Sequence, residues 1–361
     1  MHVSNLKLHQ FRNYEQAEIT FSDGMNVITG DNAQGKTNLL ESLVYLSLTR
    51  SFRINNERRL IKDGCEYADI RCTLHENNEE KVLRALITPK GKTLLIDGNA
   101  MKKSSDFIGI LNVILFSPDD LGWFTASPMD HRRLLNQEIA KISHKYMHAL
   151  YSYQSLLKQR NIVLKQESVD ETFLDTLDEE MAAQEAVIIR ARRYFTSQIN
   201  QNLGSLFHTL SKENHQVQAV YACCMDGNAD RQDIQNMHKE NRLKDRQYQT
   251  TTAGIHREDF TFDLDGRRAI DAASQGQKRM ILLAYKMALH ACIENNTGRN
   301  AIYLLDDVLS ELDLTRQQTL LEMIHGSQCI LTATSIPAFL KTDHMKEYRI
   351  KAGTITEMEA L

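Results

Sequence analysis

The run Gly30-Asp31-Asn32-Ala33-Gln34-Gly35-Lys36-Thr37 has the spacing G-x-x-x-x-G-K-[ST], and its residue types suit the capture of a polyphosphate. Glycines let the backbone turn its N–H groups inward around phosphate oxygens. Lys36 is placed to reach β- and γ-phosphates, and the Thr37 hydroxyl can ligate Mg²⁺. A second feature lies far downstream, where the apolar run Ile302 to Leu305 ends in Asp306-Asp307. A carboxylate at the end of a buried strand beside a phosphate loop holds Mg²⁺ through its water shell. Asp306 is the expected metal carboxylate. Asp307 is placed to accept a proton from an attacking water, so Lys36 and Asp307 are the expected catalytic groups. Singly, a glycine loop or an acidic strand end is commonplace. Together, in this order, they are specific.

Elements of definite type must position these groups. "MNVIT" (25–29) reads as a short strand, and the residues from Thr37 onward have helical spacing. That puts a helix N-terminus, with its partial positive charge, at the phosphates. Ser274-Gln275-Gly276-Gln277 opens a further apolar helix, with Ser274 as its cap and Gly276 permitting close backbone approach. "VSNLKLHQF" and "EQAEITF" alternate like paired edge strands, and "KVLRALITP" with "KTLLIDGNA" reads as a hairpin turned at Lys90-Gly91. The character changes over 116–130, where two of the four prolines sit. From Asp130, apolar residues step by three and four through Leu164, then again from Leu174 to Leu210, separated by the polar 165–171. Two such stripes predict an antiparallel helical hairpin, each arm roughly 35 residues or about 50 Å long. Strand-like sequence returns at 215–225, and 226–233 is the most loop-like stretch.

Composition limits the possibilities. The 361 residues carry 43 Lys+Arg against 47 Asp+Glu, so any nucleic-acid contact must come from local patches. One such patch is 49–62, where Arg50, Arg53, Arg58 and Arg59 are candidates for DNA phosphate contacts. Arg50 and Arg53 are equally suited to serve the nucleotide, being just beyond the phosphate loop. "HRR" (131–133) and "RARR" (190–193) are weaker candidates, since a charge run is usually a solvated helix face. No stretch reaches the roughly 18 to 20 apolar residues of a membrane span, and the N-terminus is too polar for a secretory signal. The six cysteines form no C-x-x-C pair, which predicts reduced thiols in a cytoplasmic protein and no metal site built from them.

In company with the loop and the carboxylates, 272–293 resembles the signature sequence of ATP-binding-cassette (ABC) ATPases. In those proteins the signature of one subunit closes over the γ-phosphate held by another. "SELD" (310–313) then resembles the loop that crosses the dimer interface, with Asp313 its acidic member. The whole set, including "FRNYEQAEITF", "GDNAQGKTNLLES", "TRSFR", "FSPDDL", "SPMDHRRLLN", "TTAGIHRED", "SQGQKR" and "LLDDVLSELD", resembles the RecF family, compact relatives of the structural-maintenance-of-chromosomes ATPases. The similarity extends over nearly the whole chain.

That resemblance implies an α/β fold: an ABC-type, P-loop NTPase head with mixed β-sheets plus a helical arm. The head would span 1–120 and 216–361, the arm 121–215. It further implies an ATP-dependent homodimer that binds double-stranded and gapped DNA, with weak, DNA-stimulated ATP hydrolysis as a switch and ATP and Mg²⁺ as ligands. RecR and RecO would be partners in loading recombinase onto single strands. Residue by residue, Gly30 to Thr37 match the phosphate loop, Ser274, Gly276 and Gln277 the signature, and Asp306-Asp307 the paired acids. Transporters usually carry Asp-Glu there, and the shorter carboxylate suits slow hydrolysis. Transporters also place a γ-phosphate-sensing His after the next strand. "LTATSIP" (331–337) has none, and Thr334 or Ser335 stands at that place. Two departures from the family pattern are Ile255, where proline is common, and Lys278, where an uncharged or acidic residue is usual. A transporter subunit predicts the missing His, a nuclease-linked ATPase predicts a further domain after Asp313, and a non-hydrolysing DNA scaffold predicts negligible turnover.

Overall fold

The structure, a computed structural model, describes residues 1–77, 79–225, 227, 230–336 and 345–358. Pro337 of "LTATSIP" and Asp226, Asn228 and Ala229 of the loop-like stretch lie outside them. By contact, the chain divides into one unit of 1–120, 209–212 and 289–361 and a second of 121–208 and 213–288.

In the first unit, alternating burial joins the N-terminal strands. β1 (His2–Phe11) buries Val3, Leu6, Leu8 and Phe11, and pairs antiparallel with β2 (Tyr14–Thr20) and β4 (Ala68–Glu76). β5 (Glu79–Thr88), β6 (Gly91–Ile96) and β7 (Asn99–Ala100) complete a sheet ordered β2-β1-β4-β5-β6-β7. The expected hairpin forms, with Thr88 opposite Gly91. β1 is internal to this sheet, where an edge strand was expected, because β4 supplies a second neighbour from far along the chain.

The second sheet of this unit runs β15-β14-β3-β13-β12-β8. Its strands are β3 (Met25–Thr29), β8 (Val113–Phe116), β12 (Ile302–Asp306), β13 (Cys329–Ala333), β14 (Lys346–Lys351) and β15 (Thr354–Met358). All its pairings are parallel except β14 with β15. β12 and β13 are buried at every position, as expected of parallel strands covered on both faces. Helix α1 (Lys36–Leu48) packs against β8, β12 and β13 and also against β5, and is buried on nearly all sides. It contributes to a single apolar core shared by both sheets.

In the second unit, Ser127 caps α2 (Pro128–Ile142), and Ser143 caps α3 (His144–Val163). The first helical arm is therefore two helices, where one was expected. Ser143 adopts an extended backbone, φ −148°, and its hydroxyl accepts from Tyr146 N–H, a local alternative that ends the helical run. The second arm is the continuous 41-residue α4 (Glu171–Ser211). β9 (Val217–Ala222), β10 (Asp259–Leu264) and β11 (Arg267–Arg268) form a small antiparallel sheet. β10 packs on α2, so the segment after 215, expected with the head, clusters here with the helices. Helix α5 (Arg231–Tyr248) was not anticipated; it begins at a reciprocal Asp230–Asp233 cap inside the stretch read as loop. The short α6 (Ala269–Ala272) leads into α7 (Gln275–Thr297).

Buried charge ties this unit together. Arg160 is wholly buried and bonds Asp178 at 2.7 Å, Asp245 at 2.6 Å and Thr251 at 2.9 Å. Arg192, also buried, reaches Glu258 at 2.7 Å and the Ile255 carbonyl at 3.0 Å. Removing one partner of a buried pair strands the other charge. Arg160→Met is expected to lower unfolding free energy by about 3–5 kcal/mol. Urea denaturation against the parent protein checks this.

Candidate active site

The phosphate loop connects β3 to α1, and its conformation requires glycine at both ends. Gly30 has φ 147°, and a Cβ there would sit 2.4 Å from the Ile350 carbonyl oxygen. Gly35, the residue preceding α1, has φ 118°, and a Cβ would sit 2.6 Å from Asn13 Nδ2. Between them Asp31, Asn32 and Ala33 are exposed. Lys36 is 8% exposed, and its ammonium donates to the carbonyls of Gly30 at 2.5 Å and Asp31 at 3.0 Å. Burial lowers its pKa, opposed by the carboxylates of Asp307, Asp306 and Asp31. The ammonium thus rests on neutral carbonyls that a phosphate oxygen can replace.

The carboxylate arrives from the end of β12. Thr37 Oγ1 donates to Asp306 Oδ1 at 3.0 Å, and Thr332 Oγ1 donates to the same oxygen at 2.8 Å. Burial raises the pKa of Asp306; the Thr332 and Thr37 hydroxyls and the charge of Arg53 oppose that shift. A buried carboxylate beside a hydroxyl is a hard-oxygen pair of the kind that fits Mg²⁺. Asp307 follows at φ 53°, its N–H donating to Thr332 Oγ1 at 3.1 Å. Thr334 and Ser335 line a cavity of about 240 Å³ together with Gly30 and Asp31, so both stand beside the loop.

Several residues that sequence spacing did not single out as site residues shape the loop. Asn13 Nδ2 donates to the Gln34 carbonyl at 2.9 Å, Asn38 Nδ2 donates to Asn13 Oδ1 at 2.8 Å, and Tyr14 OH donates to the Gly35 carbonyl at 2.9 Å. On the other side, Gln34 Oε1 accepts from Ala352 N–H at 2.6 Å. Arg12 makes a bidentate pair with the buried Glu41 of α1, both bonds 2.8 Å. Neither periodicity nor a spacing rule marks these positions, since each acts through a contact remote in sequence. The four arginines offered for DNA, Arg50, Arg53, Arg58 and Arg59, are all exposed, and Arg53 donates to Asn38 Oδ1 at 3.1 Å, in the first turn after the loop.

The signature candidates lie in the second unit. Ser274 Oγ accepts from Gln277 N–H at 3.2 Å, and Gln277 Oε1 accepts from Ser274 N–H at 2.9 Å, a reciprocal cap on α7. Gln277 is also held by Glu213 at 2.7 Å. Ser274 and Gly276 are exposed, and a Cβ on Gly276 would meet nothing closer than Ser274 Oγ at 3.9 Å. Lys278 donates to the Ile270 carbonyl at 2.7 Å, and Ile255 is buried, so both departures from the family pattern fit their surroundings. In the first unit, Asp313 caps α8 (Leu314–Met323), accepting from Arg316 N–H at 3.0 Å.

A β3–loop–α1 unit with an acidic strand end two strands away defines an α/β, P-loop ATPase head of the ABC type. The family model for the RecF/RecN/SMC N-terminal domain matches residues 2–356. The DNA replication and repair protein RecF of Lactobacillus johnsonii is 36% identical over 100% of both chains. A solved structure of the recombination mediator protein RecF with ATP, in the RecFOR pathway, superposes with TM-score 0.92 at 29% identity, covering 99% of this chain and 98% of that one. An Smc head bound to the C-winged helix domain of ScpA superposes with TM-score 0.58 at 16% identity, covering 99% and 98%, a likeness of fold. The chain belongs to the RecF/RecN/SMC family and, within it, to the RecF proteins of DNA replication and repair.

The raised pKa of Asp306 gives a signed pH dependence. A carboxyl whose folded pKa lies above its unfolded value favours the folded state most at low pH, and that advantage is lost as pH rises through the folded pKa. Asp306→Asn keeps the shape without the charge. The nucleotide-free variant is expected to be more stable than the parent at pH 8, with the difference vanishing below about pH 4. Thermal melts across that range test it, and a variant destabilised equally at every pH would contradict the assignment.

Proposed function

We propose that the protein is an ATP-gated DNA clamp of recombinational repair, working as a homodimer in which each phosphate loop is completed by the signature of the other copy. The observation that carries this reading is the start of α7. Ser274 and Gly276 stand exposed at a capped helix N-terminus, where a Cβ on Gly276 would meet only Ser274 Oγ at 3.9 Å, so nothing among the described residues requires a glycine there. A helix N-terminus of this kind suits a phosphoryl group presented by a second molecule. The ATP named with the RecF structure supports the same ligand here.

In this reading Gly30 to Gly35 cradle the phosphates by backbone N–H groups, and Lys36 leaves its two carbonyls for the β- and γ-oxygens. Asp306 and Thr37 would hold Mg²⁺, which when bound supplies neutralising charge to the phosphates. Asp307 orients the attacking water and accepts its proton, with a short reach that suits weak, DNA-stimulated turnover. Arg53 serves the nucleotide rather than DNA, its guanidinium near enough to act on Asp306. Arg50, Arg58 and Arg59, exposed and free of this role, are the DNA phosphate contacts. Asp313 lies at the dimer interface, beside the exposed Leu314. The DNA would be duplex at gaps or junctions. The protein would work in the cytoplasm, with RecR and RecO, to load recombinase onto single strands. A transporter subunit is disfavoured, since Thr334 and Ser335, not a histidine, stand beside the loop.

Gel filtration with and without ATP tests the switch. The parent should shift from monomer to dimer with ATP, and Ser274→Arg should bind ATP yet stay monomeric. Lys36→Met should weaken ATP binding about 10- to 100-fold through loss of a charged hydrogen bond. An elution profile indifferent to nucleotide would refute the clamp.

A further inference from the structure

Outside the nucleotide machinery, the second unit holds a pair of adjacent thiols in a charged setting. Cys223 and Cys224 follow β9, and their sulfurs and a Glu258 oxygen all lie within 4.8 Å of one another. Cys223 Sγ is 3.3 Å from Glu258 Oε1 and 3.4 Å from Arg193 Nη2, and it is half-buried, so reagents reach it. Arg193 is itself anchored on the Met225 carbonyl at 2.5 Å. We propose that Cys223 is a thiol modification site, oxidised by hydroperoxides to a sulfenic acid that Cys224 resolves as a vicinal disulfide.

Three observations favour a reactive thiolate. The hydrogen bond from Cys224 pulls the Cys223 pKa down to about 7, with help from the Met225 N–H and against both burial and the neighbouring Glu258 carboxylate. The same bond pushes Cys224 up, so the pair divides into an attacking thiolate and a thiol held in reserve. The Arg193 guanidinium beside the sulfur favours negative charge there. By contrast, burial pushes Cys72 up to about 12 and also raises Cys329.

A divalent metal fits the cluster poorly. The Glu258 carboxylate already accepts from Arg192 at 2.7 Å, from the Tyr221 hydroxyl and from Cys224 N–H at 3.1 Å. A dication would have to displace those bonds while facing two guanidinium groups.

The chemistry balances. The Cys223 thiolate attacks one peroxide oxygen; an S–O bond forms, the O–O bond breaks, and the alkoxide leaves as an alcohol after taking a proton. Sulfur loses two electrons and the peroxide gains them. Oxidation removes the Cys223 thiolate that raised Cys224, so Cys224 gives up its proton and attacks Cys223 as a thiolate; an S–S bond forms, the S–O bond breaks, and the hydroxide leaves as water with that proton.

The test uses the full-length wild-type chain. Iodoacetamide labelling from pH 5 to 9, read by peptide mass, should give Cys223 a midpoint near 7. At pH 7 it should react about three- to fivefold faster than the half-exposed Cys65, the larger thiolate fraction being partly offset by lower nucleophilicity. Equimolar hydrogen peroxide should make the peptide holding both cysteines about 2 Da lighter. Cys224→Ser should instead leave a Cys223 sulfenic acid that a cyclic 1,3-dione traps. Cys223 reacting no faster than Cys65 would overturn the proposal, and no variant is needed for that result. So would equimolar zinc alone shielding both thiols from labelling, which would make the cluster a metal site.

Discussion

One contact organises the first unit: the Thr37 hydroxyl donates to Asp306 Oδ1 at 3.0 Å across 269 residues of sequence. It exists because β13 lies between β3 and β12 in register, with Ile28 opposite Thr332 and Thr332 opposite Asp306. These strands are buried at every position, and their parallel ladders hold them in that register. Thr332, between the two, spends its hydroxyl on Asp306 and receives the Asp307 N–H. Hydrophobic burial thereby holds a hydroxyl, a carboxylate and an ammonium in one place before any ligand arrives.

The second unit uses a different device. Its long helices meet through the buried ion pairs of Arg160 and through His238 against Glu185 at 2.5 Å, while Arg192 ties α4 to Glu258 immediately before β10, all with almost no exposed side-chain surface. Such pairs add little net stability compared with apolar packing, but each penalises any arrangement that leaves one charge unmatched. The start of α7 belongs to this same unit, and Gln277 is held to it through Glu213. In the proposed clamp, a signature meeting a phosphate on another molecule would benefit from a mount with few alternative conformations.

Much of this was legible in the chain. The phosphate loop, the strand ending in Asp306, the capped start of α7 and the two helical stripes were readable because each is a local pattern: a spacing, a run of apolar residues, a cap. What could not be read were consequences of tertiary contact. Asn13, Tyr14 and Arg12 act on residues more than a helix length away, and β1 gains its second neighbour from a strand beyond α1. Ser143 breaks a pattern that periodicity alone continues. Helix α5 is so polar that it carries almost no apolar stripe, burying only Ile234, His238 and Asp245, and it is held by charge instead.

The proposed clamp is a statement about linkage. ATP can close two copies only as far as it binds the closed pair better than the separate ones, and DNA gripped by that pair must then favour ATP in return. Nucleotide affinity measured with and without duplex, and duplex affinity measured with and without ATP, at one fixed salt concentration, addresses this most directly. The account predicts that each ligand tightens the other by the same factor, about 5- to 150-fold. Two affinities that ignore one another would contradict it.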